Sequence, residues 1–140
     1  ETSRDGIKNI EKELGLKIDF SKLVKLFTAN HVYRKNDYIN HEFNPTYLLE
    51  DTTPLTDYKL NPDLVDGIFI ADVEDVLNLF KHKVDKIYVS GLRLNGQKQY
   101  APHAGNIARC EFVPHTDQYF IKVMETIQRW FKGQAIDNQA

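Results

Sequence analysis

The strongest constraint on the fold lies near the C-terminal end. After Pro114, with Thr116 or Asp117 placed to cap a helix, Tyr119, Phe120, Val123, Met124, Ile127, Trp130 and Phe131 recur at helical spacing until Gly133. So broad an apolar face has to be buried, so this helix is expected to pack against a layer of other elements. Strands for that layer are legible upstream. Between Leu23 and Tyr33, Val24, Leu26 and Thr28 alternate against Lys25 and Phe27, which predicts a strand with the first three on one face. Lys35-Asn36-Asp37 reads as a polar turn. In the next run Phe43, Pro45, Tyr47 and Leu49 share one strand face, and Glu42, Asn44, Thr46 and Leu48 the other. Pro45 removes a ladder donor, so this strand is expected at an edge or at a bulge.

A first helix is expected ahead of these strands. Thr2 or Ser3 can cap it, Asp5 sits in its first turn, and Gly15 falls where a left-handed C-cap belongs. Ile7, Ile10 and Leu14 form its buried stripe, while Asn9, Lys12 and Glu13 lie together on a different face. Residues 51–63 read as a loop and Gly67 to Ile70 as a short strand. Asp72 can cap a second helix carrying Val73, Val76, Leu77, Phe80 and Val84, and Asn95-Gly96 predicts a two-residue hairpin turn between two further strands. The order α-β-β-β-α-β-β-α implies an α/β (α+β) domain over residues 1–133, a mixed sheet with helices packed on it, and a frayed tail at 134–140.

Composition narrows the function classes. In 140 residues, 18 basic side chains face 20 acidic ones, a balance that argues against duplex nucleic acid as the main partner. No apolar run approaches the roughly 18 residues of a membrane helix. The lone Cys110 cannot close an intrachain disulfide, so a reducing cytoplasm is the expected setting. The five histidines include no HxH or HxxxH pair, and Cys110 has no CxxC partner, which excludes the common zinc spacings. His103 and His115 follow prolines and read as loop-anchoring hydrogen-bond partners. Ser90-Gly91 lacks the upstream glycine of a nucleophile elbow, and Lys81, Lys83 and Lys86 read as a solvated face.

The opening stretch ETSRDGIKNIEKELGL resembles the second half of the Nudix box, the signature of enzymes that cleave a nucleoside diphosphate linked to another group. The family's helix reads Arg-Glu-apolar-x-Glu-Glu-x-Gly-apolar, and here those positions hold Lys8, Asn9, Ile10, Glu11, Lys12, Glu13, Leu14, Gly15 and Leu16. Glu1 corresponds to the glutamate before that helix. HEFNPTYLL (residues 41–49) resembles the strand of isopentenyl-diphosphate-isomerase-like Nudix proteins, with Glu42 at the metal-serving glutamate and Asn44 in place of the proton-transfer glutamate, so isomerisation is not expected. PDLVDGIFI and FVPHTDQYF extend the likeness to about Phe131.

The resemblance implies a Nudix-type α/β/α sandwich and a hydrolase cleaving a diphosphate in a small, nucleoside-linked substrate with Mg²⁺ or Mn²⁺. It implies Glu13 as metal ligand or catalytic base, Glu42 assisting at the metal, Asn9 as a neutral oxygen ligand and Lys12 at a substrate phosphate. The family's three helix carboxylates would stand at 9, 12 and 13, and only Glu13 is kept. A catalytically silent binding module or truncated remnant is therefore the alternative. The strands that precede the box in the family have no counterpart, so the domain is expected to be N-terminally incomplete. A partner, a second copy in a homodimer or a rearranged sheet would take their place.

Overall fold

The computed structural model describes residues 3–134, except the side chains of residues 3, 31–35 and 40–42. Thr2 and residues 135–140, most of the expected tail, lie outside the described residues. The elements are α1 (Ser3–Leu14), β1 (Val24–Lys35), β2 (Tyr38–Leu48), β3 (Gly67–Ile70), α2 (Val73–Phe80), β4 (Lys86–Leu94), β5 (Tyr100–Ala108) and α3 (Asp117–Phe131). This is the α+β order expected from the apolar spacing. Where one mixed sheet was expected, the described strands form two antiparallel sheets, β1-β2 and β3-β4-β5. Both β1-β2 and β4-β5 are joined by short connections, which only antiparallel neighbours permit.

Local chemistry explains most of the boundaries. Asn36 takes the left-handed backbone of the β1-β2 turn, at φ 55°. The Asn95 side chain accepts from the N–H groups of Gln97 (2.9 Å) and Gln99 (3.1 Å). Those bonds open the β4-β5 connection into a longer loop, with Lys98 rather than Gly96 left-handed, in place of the two-residue turn. The second helix ends at Phe80, and His82 turns left-handed at φ 59°, so Val84 leaves the predicted stripe. Arg109 donates to the Leu79 and Val84 carbonyls at 2.8 and 2.9 Å, satisfying acceptors that the helix end exposes.

A bulge decides how the first sheet meets the core. Register shifts between Lys25 and Phe27, so Leu26 and Phe27 are both buried, whereas simple alternation sets Phe27 against Leu26. Val24, Leu26, Phe27 and Ala29 thereby join Leu48 and pack on Tyr119, Val123 and Ile127 of α3. On the other flank of α3, Phe120 joins Val76, Leu79, Phe80, Ile87 and Val89. There the Phe80 and Phe120 rings stack at 4.2 Å, and Phe112 meets both edge-on. Phe131, read as part of the buried face, is 63% exposed at the last residue of α3.

Candidate functional site

The first helix is fixed at its C-terminal end. Gly15 is left-handed (φ 66°) and donates to the Glu11 carbonyl at 2.9 Å, and a Cβ there would run into the Lys59 carbonyl. The Asn61 N–H donates to the Glu13 carbonyl at 3.0 Å, and the Glu11 carboxylate accepts from the Ile18 N–H at 2.8 Å. Near the other end, the Arg4 guanidinium lies 4.7 Å from the centre of the Phe20 ring, which in turn meets Tyr47 of β2. The glutamate between the expected ligands is thus a structural anchor.

Of the residues singled out from sequence, Asn9 and Lys12 are exposed on α1 and Glu13 is half-buried. Helical spacing keeps the three on one side, with Asn9 and Glu13 four apart. Glu1 and the Glu42 side chain lie outside the described residues; the Glu42 backbone pairs with His31 in the first sheet. Among the described residues no three histidine, cysteine, aspartate or glutamate side chains gather in a metal-binding group.

The opposite face of α1 borders a groove of about 650 Å³. Ile7, Ile10 and Leu14 line one side, and Phe43, Pro45, Tyr47 and Leu49, the face expected on the second strand, line the other. Asn44 also lines it. Neither Asn9, Lys12 nor Glu13 does.

No family model and no solved structure matches the chain. Over 127 residues it is 20% identical to an uncharacterised Nudix hydrolase of Clostridium acetobutylicum, a stretch that covers 91% of this chain and 62% of that relative. The chain is similar to a Nudix hydrolase. It spans about three-fifths of the relative's length.

Two groove residues escaped the reading of motifs. Asp51 accepts from the Thr53 hydroxyl (2.6 Å), the Thr53 N–H (3.0 Å) and the Tyr58 hydroxyl. The Thr53 hydroxyl, then Tyr58, hold its carboxyl below the usual range, and the same bond, with some burial, pushes Tyr58 up to about 12. Asp51 is the one charged side chain among the described residues lining the groove. Its signal was the Asp-x-Thr spacing of a side-chain turn, which composition files under loop.

The donor set can be tested against a divalent ion. Mg²⁺ is usually held by one or two carboxylates together with waters and substrate phosphate oxygens. With one carboxylate at Glu13, an amide oxygen at Asn9 and a cation at Lys12, α1 suits an ion that arrives with a diphosphate. It does not suit a cluster of resident ions. No described helix is long and apolar enough to cross a membrane.

Proposed function

We propose that this chain carries a Nudix-type hydrolase site that cleaves a diphosphate linkage in a small, nucleoside-linked molecule with Mg²⁺ or Mn²⁺. The observation that carries the reading is α1, a helix ended by left-handed Gly15 and locked to residues 59–61, which holds Glu13 near its C-terminal end. The similarity over 127 residues supports it. In this reading Glu13 and Asn9 hold the ion, with Glu42 as a further carboxylate, and Lys12 contacts a phosphate as a point charge. When bound, the ion would supply charge neutralisation and make the attacking water more acidic. Glu13 would help hold the ion or accept a proton as general base. The HEFNPTYLL segment supports the isopentenyl-diphosphate-isomerase-like subgroup, and the single exposed Cys110 is compatible with a cytoplasmic setting.

The experiment is a panel of nucleoside-linked and prenyl diphosphates, incubated with Mg²⁺ or Mn²⁺ and followed by phosphate release. Metal-dependent turnover of a nucleoside-linked member is expected. A second reading, a Nudix-fold binding module without catalysis, is favoured by Asn9 and Lys12 standing where the family has carboxylates. Binding of a panel member without turnover would establish that reading and overturn the first.

A further inference from the structure

A cavity of about 380 Å³ lies on the second sheet, lined by residues of β3, β4 and β5 together with Glu111. On the helix-facing side of this sheet, α2 and α3 cover Ile87 and Val89. The rows beyond are populated differently. Phe69 and His103 stand on either side of Gly91, and with no side chain between them their rings meet edge-to-face at 6.0 Å. In the next row Arg93 stands between Gly67 and Ala101, exposed and paired with no carboxylate among the described residues. In the other direction Gly105 sits opposite Val89, and a Cβ added there would meet nothing within 4 Å.

The arrangement has chemical direction. A guanidinium between small neighbours is open to bidentate contact with an oxyanion. Phe69 and His103 offer ring surface beside it, and Gly105 leaves the floor free. At the far end Glu111 uses one oxygen to accept from the Ala108 N–H at 2.6 Å, which leaves its second oxygen for a donor. From the Arg93 row to the Gly105 row is four residues along a strand, about 13 Å at roughly 3.3 Å each. That span suits an extended mononucleotide better than a lone oxyanion.

We infer that this cavity binds a nucleoside monophosphate whose base carries an exocyclic amino group. The phosphate lies on Arg93, the base lies against Phe69 and His103 over Gly105, and the amino group donates to Glu111. The site is separate from α1 and stands whether or not α1 hydrolyses a diphosphate.

Calorimetric titration of the whole chain with AMP, UMP and inorganic phosphate tests it. AMP is expected to bind, UMP more weakly and phosphate more weakly still. Arg93→Gln, at an exposed position, is expected to weaken AMP binding about tenfold or more with an unchanged circular dichroism spectrum. Glu13→Gln is expected to leave AMP binding as it is, which separates this site from the hydrolase reading. The His103 ring resonances of the unmodified chain are expected to shift on adding AMP. No binding of AMP up to about 1 mM, affinity no better than that of phosphate, an unaffected Arg93→Gln variant or an unmoved His103 signal would each overturn the inference.

Discussion

Around β4, helices α2 and α3 close over Ile87 and Val89 and leave Leu79 with no exposed surface, whereas α1 faces β2 across an open groove. The first arrangement is held by interlocking aromatic rings, the second by main-chain bonds at one helix end and an arginine laid on Phe20. Dispersion and burial scale with contact, so stability is concentrated on the two flanks of α3, against α2 and β4 on one side and β1 on the other, rather than at α1. The residues with a proposed hydrolytic role, Asn9, Lys12 and Glu13, belong to α1, on the loosely covered side. Stability and the proposed hydrolysis should therefore be separable by mutation.

The largest expected contrast follows directly. Phe120→Ala removes a ring that is 8% exposed and stacked on Phe80, and should lower unfolding stability in urea by about 3–5 kcal/mol. Ile10→Ala, on the groove face of α1 and 42% exposed, should cost less than about 1 kcal/mol. Equal losses from the two would break the contrast.

A smaller effect sharpens the contrast within the α1 half. Gly15→Ala places a side chain at φ 66° and against the Lys59 carbonyl, for at least about 1–2 kcal/mol. Hydrogen exchange should speed up at the Asn61 amide and leave the amides of β4 protected. Uniform loosening would mean that α1 is coupled to the main core.

The smallest effect concerns pH. The Asp51 carboxyl is held low, so the stability it adds is present above its ordinary range and is lost as pH falls through its folded value. Tyr58 is raised to about 12, so its contribution is complete below the ordinary tyrosine value near 10 and is lost as pH rises through about 12. In Asp51→Asn the Tyr58 phenolate transition, followed by ultraviolet difference absorbance, should move down towards 10. A transition that stays near 12 would show that the Asp51 bond is not its cause.

Much of the architecture was legible because periodicity carries it. The stripe Ile7, Ile10, Leu14 and the alternation Phe43, Pro45, Tyr47, Leu49 form the two walls of one groove, which is open, so that Ile10 of the stripe expected to be buried is 42% exposed. Periodicity misses single-residue events. One extra residue at the β1 bulge brought Phe27 into the core beside Leu26, and two side-chain hydrogen bonds from Asn95 lengthened a hairpin loop. His103, expected to anchor a loop, lies in β5 facing Phe69, because the proline before it is accommodated at an edge strand. Gly91 carried no catalytic signal, yet a Cβ there would collide with the β3 backbone. Such close approaches have no periodic trace. Asn9, Lys12 and Glu13 could be placed on one helix face from spacing, but a side chain's neighbours depend on where residues 59–61 return, which spacing does not encode.

In the proposed hydrolase site Glu13 serves diphosphate hydrolysis, while Glu11, two residues away on the same helix, anchors the chain through Ile18. Turnover of the best diphosphate substrate with Mg²⁺, compared between Glu13→Gln and Glu11→Gln, separates the two. The expected result is a loss of about 100-fold or more for Glu13→Gln. For Glu11→Gln, whose amide oxygen can still accept from Ile18, turnover should stay near that of the unmodified chain. Equal turnover in both variants, or a loss confined to Glu11→Gln, would contradict it.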